Sequence, residues 1–131
     1  MMQYHEFLAQ VRRRGEYADQ QEAEKVTRVV LEVLAQRIPR QESLDLAAQL
    51  PGSLGEVVAA AAVDQPESLG IERFCERVAE RVQAVPRTAQ WDASAVLSTL
   101  ADSVSPGQLN QLISVLPTAY ADLFGQTDLS Q

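Results

Sequence analysis

Cysteine, histidine, tryptophan and lysine each occur once in 131 residues, and these scarcities exclude a good deal. With Cys75 alone there is no internal disulfide, so the fold does not depend on an oxidising compartment. A zinc site needs three or four protein ligands, and His5 has no second histidine and no Cys-x-x-Cys spacing to join it. Cys–His catalysis would need His5 and Cys75 to meet, which nothing in the sequence argues for. Glycine and proline, six each, are too few for a disordered or collagen-like chain. There is no Gly-rich phosphate loop and no Ser-centred nucleophile elbow. Glu22, Glu24 and Glu32 form no Glu-x-x-His metal pattern. The longest apolar run, residues 57–63, falls far short of the ~20 residues a membrane span needs. The first residues lack a basic stretch followed by an apolar one, so no signal peptide is visible. The expectation is a cytoplasmic protein with no membrane contact.

Positive charge is scarce too. The net charge is −7; residues 1–66 hold 7 basic and 10 acidic side chains, and residues 67–131 hold 4 and 8. The electrostatic attraction that dominates nucleic-acid affinity is therefore missing from both halves, and no nucleic-acid partner is expected. That reading would change only if Arg12, Arg13, Arg14, Arg28, Arg37 and Arg40 gathered on one face.

What is present is a globular composition: 46% hydrophobic and 22% charged residues. A chain of this size is one domain, 1–131, able to bury roughly two thirds of its unfolded surface. Arginine outnumbers lysine ten to one and alanine is abundant, a bias expected of a GC-rich bacterial gene.

Apolar residues recur at helical spacing throughout. Tyr4, Phe7, Leu8 and Val11 mark a first helix over residues 3–14, closed by Arg12, Arg13 and Arg14 and stopped by Gly15. Asp19 and Glu22 have the form of a capping box. The long helix they open carries Ala23, Val26, Val30, Val33 and Leu34 to about Arg37, before Pro39. A third helix, 41–49, should point Leu44, Ala47, Ala48 and Leu50 inward. Pro51 makes a corner, and a short fourth helix carries Leu54, Val57, Val58 and Ala61. Residues 64–68 read as a linker, with Ser68 capping the helix of Ile71, Phe74, Cys75, Val78 and Val82. Pro86 should break that helix and Thr88 cap the next, 89–104, which buries Ala93, Val96, Leu97, Leu100 and Val104. Ser105-Pro106 opens a helix with Leu109, Leu112, Ile113 and Leu116 inward. Pro117 makes a second corner, and Tyr120, Leu123 and Phe124 pack the last helix before Gly125.

The second half repeats the first. Val30, Leu31, Leu34, Ala35, Leu46 and Leu50-Pro51 fall on Val96, Leu97, Leu100, Ala101, Leu112 and Leu116-Pro117, 66 positions later. Phe7 and Val11 match Phe74 and Val78 at an offset of 67. Matched positions are apolar while those between are free, which is the mark of a shared packing plan. No stretch alternates with period two. The expected fold is all-α, a bundle of about 6–8 helices. It would be built from repeats over 3–62 and 69–125, with a linker at 63–68 and a loose tail at 126–131. Each copy alone has too few inward residues for a stable core, so the two must pack together.

This duplicated pattern resembles the DUF2267 family of uncharacterised bacterial proteins. The residues that carry the resemblance are Phe7 with Val11, the box of Asp19 and Glu22, Val30-Leu31 with Leu34, and Leu50-Pro51. In the second copy they are Phe74 with Val78, Val96-Leu97 with Leu100, Leu116-Pro117, and Tyr120 with Phe124. The resemblance spans about residues 3–125, and the second copy departs from the first at 83–91, where no clear capping box appears. It implies an all-helical fold and assigns no activity, cofactor or catalytic residue.

Few side chains stand out as sites. His5 reads as an exposed helix residue. Cys75, beside Phe74, reads as a buried small hydrophobe, although Arg73 and Arg77 would activate it if it were exposed. Arg12, Arg13 and Arg14 form the basic cluster able to hold a phosphate or an acidic partner segment. Trp91 has no counterpart of its own type in the other copy and would be the best single anchor for a partner if exposed. With no catalytic constellation, no metal and no cofactor in view, the expectation is a non-enzymatic helical module that binds a protein partner or itself, with Trp91 and Arg12–Arg14 as contact residues. The competing expectation is a small-ligand or sensor domain with a pocket between the repeats.

Overall fold

Asp19 opens the first long helix. Its carboxylate accepts the Glu22 amide at 2.9 Å, while the Glu22 carboxylate reaches back to the Ala18 amide at 3.0 Å. The reciprocal bond thus lands one residue before the cap, a variant of the capping box. In the computed structural model the described residues are 2–83 and 86–125, less the side chains of Pro86 and Arg87. They form seven α-helices and a closing 3-10 helix, and none of them lies in a strand. The order is α1 (Tyr4–Gly15), α2 (Gln20–Arg37), α3 (Arg40–Ala47), α4 (Leu54–Ala61), α5 (Ile71–Val82), α6 (Pro86–Ser103), α7 (Pro106–Ser114) and the 3-10 helix Thr118–Phe124. The all-helical expectation holds. Among the described residues no helix is long and apolar enough to cross a membrane.

The core is a set of apolar stripes meeting face to face. Phe7 and Val11 of α1, Val30, Leu31 and Leu34 of α2, Phe74 and Val78 of α5, and Val96, Leu97 and Leu100 of α6 are all fully buried in one cluster. The long helices α2 and α6 are central. α1 packs on α2 and on α6, and α5 packs on α6 and on α2. The 12, 18, 8 and 8 residues of α1–α4 are followed by 12, 18, 9 and 7 in the second set.

Several sequence expectations are corrected at element ends. Gly15 does not stop α1; it is the last helical residue, and Glu16 takes the left-handed turn at φ 55°. Glycine is needed there for a different reason: the Tyr17 ring lies where its Cβ would be. α5 likewise ends in a left-handed residue, Gln83 at φ 61°, ahead of Pro86. Pro86 opens α6, so Thr88 is a first-turn residue and caps nothing. Proline suits that position because its missing N–H would have no partner there. Gly70, not Ser68, precedes α5 as its cap. On α3 the inward face is Glu42, Ser43 and Leu46, while Leu44 and Ala48 point to solvent. Hydrophobicity alone points Leu44 and Ala48 inward; the fold buries two polar residues of α3 instead. The last helix is 3-10 rather than α, and residues 126–131, the expected loose tail, lie outside the described residues.

The α4–α5 connection is fastened down at several points. The Glu67 amide donates to the Gln36 carbonyl at 3.0 Å, Arg40 pairs with Asp64 at 2.6 Å and Arg77 with Glu67 at 2.7 Å. Buried Leu69 offers its carbonyl to two donors, Arg37 Nε at 2.7 Å and the Tyr120 hydroxyl at 2.8 Å. Tyr120 sits edge-on to Phe74 at 5.3 Å, under the Arg37 guanidinium. Burial pushes its hydroxyl up to about 12, although Arg37 opposes the shift. One aromatic thus joins the end of α2, the start of α5 and the 3-10 helix.

Candidate interaction surfaces

Trp91 lies in the second turn of α6 and is 50% exposed, unusual for a large apolar side chain. It is nonetheless held in place, because its indole Nε1 donates to the Gly15 carbonyl at 3.0 Å. Around it, the corner between α1 and α2 is clasped onto α6. The Tyr17 hydroxyl donates to Asp92 Oδ1 at 2.6 Å. Arg14 reaches the Ser98 hydroxyl at 3.1 Å, the Thr99 hydroxyl at 3.2 Å and the Asp102 carboxylate at 2.5 Å. Asp92 is 4% exposed. Burial raises its carboxyl above the usual range, the Tyr17 bond works against that, and nearby Glu22 adds to it. The same burial, with the charge of Asp92, pushes the Tyr17 hydroxyl far up, so it stays a donor at any physiological pH.

A second feature is an open cleft of about 530 Å³ between α2, α4 and the end of α5. Arg28, Glu32 and Gln36 supply one wall, Ser53 and Glu56 the other, and Arg81 closes one end. Val57, Ala60 and Ala61 add apolar lining. The residues from α2 are four apart and those from α4 three or four apart, so each set occupies one helix face. α4 lies close to α3 here, since a Cβ on Gly55 would come within 2.6 Å of the Ala47 carbonyl oxygen.

The basic cluster is divided. Arg12 turns back to the carbonyls of Tyr17 and Ala18, at 3.4 and 3.0 Å, and Arg14 is taken up by α6, while Arg13 is exposed. Arg12 and Arg13 also line a smaller cleft with Leu8, Ala9, Glu16, Tyr17 and Gln20. Arg37 and Arg40 are engaged elsewhere, with Leu69 and Asp64, so the arginines of the first half do not share one face. His5 is exposed, edge-on to the Tyr4 ring at 5.9 Å. Cys75 is buried, and burial pushes its thiol up, away from the thiolate that a nucleophile needs. Among the described residues no group of three His, Cys, Asp or Glu side chains is placed to hold a metal.

The sequence reading missed Tyr17, Asp92 and Glu42. Asp92 carried a signal, since it falls among Ala89, Ala93 and Val96 on the apolar stripe of its helix. Glu42 stands four residues before Leu46 in the same way and receives the Gln108 amide of α7 at 2.7 Å. An acid inside an apolar stripe requires a buried partner, and here the partners come from the other half of the chain.

Residues 4–123 match the family model described as "Uncharacterized conserved protein (DUF2267)", and the chain belongs to that family. Comparison with curated proteins gave no match.

Proposed function

We propose that this DUF2267 protein is a non-enzymatic interaction module of a bacterial cytoplasm, binding a protein partner through the face centred on Trp91. One observation carries the reading: an indole half open to solvent yet pinned by its Nε1–H to the Gly15 carbonyl. A fixed aromatic loses little side-chain entropy on binding, which is why rigid Trp residues recur as interface anchors. Arg13 stands exposed on the same corner of the molecule, at the end of α1, and Arg12 and Arg14 hold that corner in shape. The lone Cys75 and the acidic surface suit a reducing compartment and a partner other than nucleic acid.

The two halves are, on this reading, copies of one packing unit. Supporting this are the matched helix lengths, the left-handed residues Glu16 and Gln83 after each first helix, and the exchange by which each first helix packs on the other half's long helix. The alternative, a ligand pocket between the copies, finds no room where the two long helices meet and is left, among the described residues, only the cleft that Arg81 of the second copy closes. Where α2 meets α6 the space is filled by Val30, Leu34, Val96 and Leu100, all fully buried.

The test is paired affinity capture with the wild type and Trp91→Ala, followed by titration of any retained protein against the single tryptophan's emission. The expected result is a partner lost with Trp91→Ala and held more weakly by Trp91→Phe, which keeps a ring but not the bond to Gly15, with a blue shift of the wild-type emission on binding. Equal retention by the wild type and the alanine variant would remove Trp91 from the interface. Light scattering at rising concentration separates a foreign partner from self-association.

A further inference from the structure

The cleft between α2, α4 and α5 goes beyond the Trp91 reading, since it is built from other residues. Four charged side chains line it, two of each sign: Arg28 and Arg81, Glu32 and Glu56. Arg28 and Glu32 stand four apart on α2, a spacing at which opposite charges ordinarily pair along a helix. Here they do not: among the described residues none of the four makes an ion pair, although Arg40, Arg73 and Arg77 all do. The hydrogen bond joining lining side chains is Arg81 to the Gln36 carboxamide, at 3.1 Å. The cleft therefore keeps both signs of charge available beside the apolar lining of Val57, Ala60 and Ala61.

We propose that this cleft binds a small zwitterion of dipeptide size, its carboxylate on Arg28 and its ammonium group between Glu32 and Glu56. A simple anion is disfavoured, because it would face two carboxylates in a chain of net charge −7. A simple cation would meet two guanidinium groups. A molecule carrying both charges satisfies both walls at once. The spacing sets its length: positions four apart on a helix are separated by about 6 Å along the axis, close to the span of two extended residues. The small apolar lining residues Ala60 and Ala61 leave room for methyl-sized side chains. The volume lies within the range of small-molecule sites, and the open mouth sets a weak affinity, on the order of 1 mM.

The experiment is an amide-shift titration of the full chain with alanyl-alanine, beside N-acetyl-alanyl-alanine and alanyl-alanine amide. Expected are saturable shifts confined to residues 28–36, 53–61 and around Arg81, about tenfold weaker binding of either blocked peptide, and loss of the shifts in Arg28→Gln and Glu32→Gln. Both variants change exposed or half-exposed side chains, and their spectra report folding directly. Trp91→Ala should bind alanyl-alanine like the wild type, which separates this site from the proposed partner face. No saturable shift by tens of millimolar peptide overturns the proposal. So does equal binding of a blocked peptide, or shifts that survive both cleft variants.

Discussion

Replacing Tyr17 with phenylalanine isolates one bond in the clasp between the halves. The ring keeps its place against Gly15, and only the hydroxyl that donates to Asp92 Oδ1 at 2.6 Å is removed. Above its raised pKa Asp92 is a buried anion, and a hydrogen bond to a charged group is worth about 1.5–3 kcal/mol. Tyr17→Phe should therefore lower unfolding free energy by about 2 kcal/mol at pH 8. Asp92→Asn behaves differently. The amide oxygen still accepts from Tyr17 and no charge is buried, so its cost at pH 8 should be near zero, or a gain of about 1 kcal/mol. The pH dependence has a definite sign. Asp92 has a folded pKa raised by burial, so its stabilising contribution is fully present below the unfolded value of about 3.9 and is lost as pH rises through the folded one. The advantage of Asp92→Asn over the wild type should thus be small near pH 4 and largest at pH 8. Tyr17→Phe removes the bond that holds the carboxyl down, so the variant's stability should begin to fall at the same pH but go on falling to a higher one. Urea unfolding followed by Trp91 emission, one residue from Asp92, measures all three proteins. If Tyr17→Phe is neutral at pH 8, or Asp92→Asn is the costlier of the two, the clasp does not work this way.

Four further outcomes follow from the same geometry. Gly15→Ala forces a methyl into the Tyr17 ring and Gly55→Ala forces one onto the Ala47 carbonyl; each should cost about 1–3 kcal/mol in urea unfolding, against no cost for Gly107→Ala, in the first turn of α7, where the space is open. Tyr120→Phe should cost only about 1 kcal/mol, because Arg37 still donates to the Leu69 carbonyl that Tyr120 shares. Glu42 is raised by burial first and by Asp45 next, so Glu42→Gln should stabilise relative to the wild type progressively above pH 4, read from melting temperatures at pH 4 and pH 8. Cys75 should react with a thiol reagent at the rate of global unfolding at neutral pH and rapidly in urea; fast labelling of the native protein would contradict its burial.

The apolar framework was legible because each inward position repeats every three or four residues and tolerates any residue of about the right size. Phe7, Leu34, Phe74 and Leu100 could be placed inside from spacing alone, and all four are fully buried. Element ends were read less well wherever proline or glycine has two uses. Pro86 could end one helix or begin the next, and Gln83 had already ended α5. Gly15 looked like a stop signal, yet what fixes its identity is a ring two residues on.

The polar contacts were not legible, and the cause is physical. An apolar stripe needs only a greasy neighbour, whereas a hydrogen bond needs one particular atom at about 3 Å. Tyr17 and Asp92 are 75 residues apart, Arg14 and Asp102 are 88, and Glu42 and Gln108 are 66. The pattern fixes which helix faces meet; it does not fix their axial slide to within the fraction of an ångström that such pairs require. Asp92 and Glu42 announced only that a partner must exist, because a buried carboxylate without one is too costly to keep. The same limit applies to the cleft. Arg28 and Glu32 look on paper like an ordinary helical ion pair, and only the positions of α4 and α5 show that they face a shared space instead. Interaction surfaces in such a bundle are set by the slide and crossing of its helices, so a chain can declare its fold plainly and still keep its binding chemistry in contacts between residues far apart in sequence.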